Sequence, residues 1–316
     1  MKKLSLYLLF ALLITGQASA QKINKIINKK YVDNLIKTLS SDDMQGRATY
    51  SLGIDKAASF IEGEFKKIGL QPLPGTTGYR QNFHKDSTDK RPLFNVVGTI
   101  PGKSKTKEMV IFSGHYDHLG ILKADGQDSI ANGADDDASG ITAMIALAKY
   151  YKKLNNNERT LIFVAFTAEE IGGFGSQYFS KQLNPDDVVA MFNIEMIGKE
   201  SKFGKNAAFI TGYERSDFGK ILQKNLSGSP FSFHPDPYPQ QRLFYRSDNA
   251  TLAALGVPAH TISTDQIDTD QLYHSVKDEY SSLDVDNILS TIKAIAQSAI
   301  TIVQGTDTPT RIPKRK

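Results

Sequence analysis

The sequence predicts an α/β protein with a mixed, mostly parallel central sheet and helices on both faces. Continuous apolar runs rich in β-branched and aromatic residues recur at 95–100, 108–114, 161–166, 189–197, 207–210 and 257–263. Runs of this kind, without regular polar alternation, fit strands covered on both sides. Helix-length segments separate several of them, as in βαβ units, and 138–153, rich in Ala, Ile, Leu and Met, is the clearest. With 316 residues and 40% hydrophobic content the chain can build a large core.

In chain order, Lys2 and Lys3 precede the apolar run LSLYLLFALLITG, and Ala18-Ser19-Ala20 supplies small residues before Gln21. This pattern predicts a signal peptide over 1–20, removed on export to the periplasm, the cell surface or the exterior of a bacterium. No stable membrane insertion is expected after cleavage. Losing Lys2 and Lys3 takes the formal charge from +4 to +2, too little to suggest a nucleic-acid partner. The absence of cysteine excludes structural disulfides and thiolate-held zinc.

The remainder reads as a single domain over 21–304. Ile23, Ile27, Val32, Ile36 and Leu39 recur at nearly helical spacing. A loop over 40–53 follows, and a second helix ends at Gly69, a natural helix stop. The 21–90 segment is expected to pack on the main body. Residues 227–247 are rich in proline and aromatics with no clean period, and read as an active-site loop or insertion. Phe231, Phe233, Phe244 and Tyr238 there could line an apolar pocket for a hydrophobic N-terminal residue, or pack the loop onto the body. A helix is expected over 286–303, and 305–316 reads as a polar tail.

Metal-capable residues stand just past several apolar runs: His115 and Asp117, then Asp135-Asp136-Asp137, Glu169-Glu170, Glu195 and, late in the chain, His274. The pair at His115 and Asp117 is a weak signal alone. An N-cap next to a positive helix end explains one or two of the three aspartates, but not all. Glu169-Glu170 could simply open a helix. Glu195 in FNIEMIG would be a costly free buried carboxylate. Together these side chains form a nitrogen and oxygen donor set suited to two zinc ions about 3.5 to 4 Å apart.

The segments SGHYDHLG, NGADDDASG, FTAEEIGGFGS, NIEMIG, YRSDNATLAALGVPA and YHSVKDEYSSLD resemble peptidase family M28, the co-catalytic dizinc aminopeptidases, and the likeness covers most of 40–285. The resemblance implies a zinc-exopeptidase fold of the phosphorylase/hydrolase-like kind and a two-Zn²⁺ cofactor. His115 then matches a ligand of the first zinc with Asp117 orienting it, and Asp136 the bridging carboxylate. Glu169 matches the general base, Glu170 and His274 ligands of the second zinc, and Tyr273 a residue assisting the tetrahedral intermediate. Glu195 falls where most relatives carry aspartate on the first zinc, so its extra methylene is a departure. Asn249, where relatives often have histidine, is a second.

The activity implied by the resemblance is removal of single N-terminal residues from small peptides with a free N-terminus. The alternatives are pyroglutamate formation, since the fold also serves glutaminyl cyclases that generally work with one zinc, and a carboxypeptidase or other amide hydrolase. Arg242 and Arg246 are candidates for holding a substrate carboxylate in the latter. Nothing in the sequence marks an oligomer interface.

Overall fold

A computed structural model describes residues 22–315. The expected signal peptide, 1–20, lies outside the described residues. After α1 (Lys29–Leu39) and α2 (Leu52–Ile68) come β1 (Gln71–Pro72), β2 (Arg80–His84), β3 (Pro92–Ile100) and β4 (Lys105–His115). A hairpin of β5 (Gly120–Asp125) and β6 (Asp128–Ala131) leads to α3 (Gly140–Leu154), β7 (Arg159–Phe166), α4 (Phe174–Lys181) and β8 (Val188–Ile194). Then follow β9 (Ala207–Ile210), α5 (Phe218–Asn225), β10 (Ser232–Pro235), α6 (Asn249–Ala254), β11 (Ala259–Ser263), α7 (Val285–Ser298) and α8 (Ile300–Val303).

Nine strands form one sheet in the order β1-β3-β7-β4-β8-β11-β9-β10, with β2 also on β3. The four central strands β7, β4, β8 and β11 run parallel, while β3 and β9 join them antiparallel. The sheet is therefore mixed, with its parallel part in the middle as the apolar runs predict. The period of two divides each run between two cores. Val110, Phe112, Leu161, Phe163, Ala190 and Phe192 face the larger core under α1, α2, α3 and α7, while Ile111, Ile162, Val164 and Met191 face the other, under α4 and α6. Phe112 stacks on Phe163, Phe192 and Tyr151 at 4.9–5.4 Å between ring centres. Burial of each such ring stabilises the fold by about 1.5–3 kcal/mol.

Local chemistry sets the helix ends. The Ser51 side chain accepts from the Ile54 N–H to cap α2, and Gly69 closes it at φ +81°, where a side chain would be strained. The helix expected over 286–303 is two, parted at Ala299. The 227–247 stretch is only partly loop, because Ser232–Pro235 pairs in parallel with β9. Residues 305–315 dock on the body: Ile312 is buried, Arg311 donates to the Val188 carbonyl, and Arg159 holds the Asp307 carbonyl and the Thr308 hydroxyl. Their polar composition concealed this, since the attachment is made mostly through hydrogen bonds. Among the described residues no helix is long and apolar enough to cross a membrane.

Because the central strands are parallel, their carboxyl ends share one edge of the sheet. His115 ends β4, Glu169 lies three residues past β7, and Glu195 follows β8 directly. Ligand sites in open α/β sheets form at this edge.

Candidate metal centre

Asp136 stands at the middle of the site. Its Oδ1 lies 3.1 Å from His115 Nε2, and its Oδ2 lies 3.3 Å from His274 Nε2. One carboxylate thus offers a separate oxygen to each of two imidazoles. The neighbouring aspartates are occupied elsewhere. Asp137 accepts the N–H groups of His115, Gly140 and Met196 at 3.0–3.2 Å, and Asp135 accepts that of Gly198 at 2.7 Å. Asp278, from the loop beyond His274, accepts the N–H groups of Asp135 and Asp136. The triple-aspartate run is therefore one outward-facing donor between two internal braces.

His115 is fixed through its other ring nitrogen, Nδ1, which donates to the backbone carbonyl of Asp117 at 3.1 Å, leaving Nε2 free as an electron-pair donor. The Asp117 carboxylate lies farther off, 3.8 Å from Nδ1. It accepts instead from the N–H of Glu169 at 3.1 Å, the N–H of Glu170 at 3.3 Å and the Thr49 hydroxyl at 3.1 Å.

Glu170 sends Oε1 to His118 Nδ1 at 2.7 Å and Oε2 to His274 Nε2 at 3.1 Å. Glu169 faces the same cleft, and its side chain makes no hydrogen bond among the described residues. Burial raises its pKa well above the ordinary glutamate range, with the negative charges of Glu195 and Asp248 adding to the effect and His115 opposing it. Tyr273 stacks on His274 at 3.8 Å between ring centres, and burial raises its phenol above the usual tyrosine value.

Three residues beside these groups have left-handed backbone: Ala168 at φ +58°, Met196 at φ +51° and His274 at φ +57°. Side chains disfavour that region, and such strain collects where surrounding structure over-determines a functional loop.

The extra methylene of Glu195 is taken up locally. Its Oε2 accepts the Ser247 hydroxyl and, at 3.2 Å, the Asn193 amide. Asn193 in turn joins Ser113, Ser247 and Thr261 at 2.6–3.2 Å. The carboxylate remains on the cleft wall. Asn249 also has a place: its amide donates to the carbonyls of Phe244 and Ala259, and its oxygen accepts from Thr261.

Sequence reasoning missed three contributors. Arg47 is buried and donates to the carbonyls of Tyr116, Leu39, Asn132, Gly133 and Asp136 at 2.5–3.4 Å, bracing the loop that carries the central carboxylate. His118 orients Glu170. Asp248, at the start of α6, is buried with both oxygens unpartnered, and burial raises its pKa to about 7. The available signal was polar residues at positions the fold must bury: Arg47 beside a glycine, His118 in HYDH, and Ser113 and Asn193 inside strands.

The aromatic residues expected to form a pocket are placed differently. Phe231 and Phe233 belong to the larger core and Phe244 to the smaller, while Tyr238 meets Phe209 edge-on. None of them lines the cleft. Leu243, Arg246 and Ser247 of the same stretch do line it, and Arg242 does not.

The donor set fits two zinc ions. Imidazole and carboxylate are zinc's ordinary ligands once thiolate is absent. Five carboxylates, Asp136, Glu169, Glu170, Glu195 and Asp248, gather here at positions where isolated negative charge is costly. Asp136, with one oxygen toward each histidine, would be the donor common to both ions.

The model of peptidase family M28 matches residues 95–299. The chain belongs to peptidase family M28. It is 30% identical over 217 residues to leucine aminopeptidase 1 of Ajellomyces capsulatus, an alignment covering 63% of this chain and 54% of that relative. The chain thus spans about half the length of the curated relative. The LapA aminopeptidase of Legionella pneumophila superimposes with a TM-score of 0.71 at 19% identity, covering 91% of this chain and 74% of that one. Glutaminyl cyclase of Porphyromonas gingivalis superimposes with a TM-score of 0.69 at 12% identity, covering 88% and 99%. These likenesses establish the M28 fold, and both chemistries occur on it.

Proposed function

We propose that the chain is a zinc-dependent aminopeptidase that releases single N-terminal residues from small peptides with a free N-terminus. The observation carrying this reading is the division of Asp136 between His115 and His274, 3.1 and 3.3 Å away. It supports a paired centre, with His115, Asp136 and Glu195 on one ion and Asp136, Glu170 and His274 on the other. Such a pair, when bound, supplies Lewis acidity toward a carbonyl oxygen and lowers the pKa of a bound water to about 7.

The chain's own residues do the rest. Glu169, free of hydrogen bonds and facing the cleft, takes a proton from the attacking water on its carboxylate. As the carbon–oxygen bond forms and the carbon–nitrogen bond breaks, the same carboxyl returns that proton to the leaving amine. Burial raises the affinity of this carboxylate for a proton. The Tyr273 hydroxyl, protonated and beside His274, donates a hydrogen bond to the developing oxyanion. Asp117 holds the backbone of the Glu169-Glu170 loop while this occurs.

We further infer export, supported by Lys2, Lys3, the apolar run and Ala18-Ser19-Ala20. N-terminal sequencing of the exported chain should then begin at Gln21.

The deciding assay uses zinc-restored protein with peptides of equal sequence, free or acetylated at the N-terminus. Release of the first residue from the free peptide alone is the expected result. Pyroglutamate formation from an N-terminal glutamine peptide, without free amino acid, would replace hydrolysis with cyclisation. Release of the last residue would mark a carboxypeptidase.

A further inference from the structure

Beside the metal donors the cleft is walled by Met196, Phe209, Leu243 and Ile267. Lined by these alone it would suit an aliphatic side chain. The same wall also contains Asp265, two residues past the end of β11.

Among the described residues no N–H or hydroxyl donor reaches the Asp265 side chain. The residue is 3% exposed, and its carboxyl group meets only the carboxylates of Asp270 and Asp135. Its backbone N–H is satisfied by the Ser263 hydroxyl, so the deficit lies wholly in the side chain. A buried carboxylate without donors is costly and calls for a cation or a proton.

The neighbouring groups do not supply what it lacks. Carboxylate atoms of Asp135 and Asp270 lie within 4.8 Å of that of Asp265, adding negative charge. The cation at this spot, Lys199, places Nζ 2.5 Å from Asp270 and 3.4 Å from Asp135 and forms no ion pair with Asp265. Lys199 therefore pairs with two of the three carboxylates and leaves Asp265 without one. Burial, with the charges of Asp135 and Asp270 and a hydrogen bond shared with Asp270, raises the Asp265 pKa to about 8, so the side chain holds a proton that an arriving cation would displace. A divalent ion in this cluster would have to sit against the Lys199 ammonium, whereas a single positive charge at the cleft face of Asp265 would not. Arg246 also lines the cleft, but it is exposed and donates to Gln241, so solvent screens its repulsion.

We propose that Asp265 receives the ammonium or guanidinium of an N-terminal lysine or arginine, the aliphatic stem lying along Met196, Phe209, Leu243 and Ile267. Lysine and arginine combine an apolar stem with a charged end, matching a wall where four apolar side chains lie beside the hydroxyls of Thr211, Thr261 and Ser263 and the Asp265 carboxyl group. The inference rests on the aminopeptidase reading for its account of which residue enters the cleft. It differs from the hydrophobic preference expected from the aromatic loop, and the substrate panel below decides between them.

The test has a kinetic and a binding arm, both on the zinc-loaded protein. Lysyl, arginyl, norleucyl and leucyl p-nitroanilides are compared for kcat/KM, and binding of lysinamide and norleucinamide is measured by calorimetry. Norleucine keeps the four-carbon stem and lacks the charge. The expected result is at least a tenfold preference for lysyl and arginyl substrates, abolished by Asp265→Asn while norleucyl turnover is kept or raised. Norleucyl turnover equal to or above lysyl overturns the proposal, as does a uniform loss across the panel in Asp265→Asn. So does a third divalent ion that is present in the wild type and lost with that substitution. If nothing is hydrolysed, the aminopeptidase reading fails, and binding still decides the pocket. Tighter lysinamide binding that depends on Asp265 upholds the inference, and equal binding of norleucinamide sinks it.

Discussion

The carboxylate of Asp117 accepts the backbone N–H of Glu169 at 3.1 Å, so the residue expected to steer a histidine ring chiefly holds a loop. His115 is oriented by the backbone carbonyl of Asp117, a contact that side-chain substitution leaves in place. In Asp117→Asn, zinc content by atomic emission should hold while kcat falls about ten- to hundredfold. Equal loss of zinc would return Asp117 to a role behind the metal ligand.

The Glu169 side chain faces the cleft beside the proposed metal donors and makes no hydrogen bond among the described residues. Glu169→Gln preserves its size and removes its capacity to take a proton. Both metals should remain, while kcat drops by about 10²- to 10⁴-fold. Metal loss in this variant would reassign Glu169 to coordination.

Arg47 spans five backbone carbonyls, and its removal leaves buried acceptors without donors. Each such group costs about 1–3 kcal/mol. Arg47→Met should therefore lower stability by roughly 3 kcal/mol or more in denaturant titration and weaken zinc retention, because the Asp136 carbonyl is among those released. Unchanged stability would mean that the loop closes without its brace.

His260 gives a pH signature away from the metal centre. Its ring stacks on Phe218, Nδ1 donates to the Thr211 carbonyl, and Nε2 accepts from Ser216. Burial holds the pKa down at about 4. The folded state thus binds this proton later than the unfolded chain, whose histidine titrates near 6.5. Stability from this residue is whole above about pH 6.5 and declines as pH falls toward 4, by a total on the order of 3 kcal/mol. Unfolding free energies of wild type and His260→Gln should converge over that interval, and parallel profiles would refute the assignment.

Chelation should expose the repulsion among the gathered carboxylates. Melting temperature is expected to fall on metal removal and recover with zinc, each site contributing about 2.7 kcal/mol when free zinc is a hundred times its dissociation constant. A melting curve indifferent to chelator would argue against a bound pair.

Much of this was legible in the sequence because both faces of the central sheet are buried. LIFVAF and MVIF had to be apolar throughout, and their ends point to where His115 and Glu169 stand. The resemblance to family M28 singled out Asp136 from its run, and the structure gives the reason: Asp137 accepts backbone amides on both oxygens, and Asp135 turns to the Gly198 amide and Lys199. What stayed hidden depends on contacts distant in sequence. Arg47 reaches Asn132, Asn249 meets Thr261, and the longer Glu195 finds Ser247, none at a spacing that any local pattern encodes. The aromatic loop misled for a related reason. Phe231 and Phe233 flank the start of a short edge strand, and the core on that side was not foreseen.

The match to family M28 begins at residue 95, yet the guanidinium that steadies the Asp136 loop comes from Arg47, well outside it. Grafting or shuffling designs cut at that boundary would carry every proposed metal ligand and leave behind the part that keeps them aligned. The unit to transplant from this protein is therefore set by who holds the backbone still, and it starts no later than Arg47.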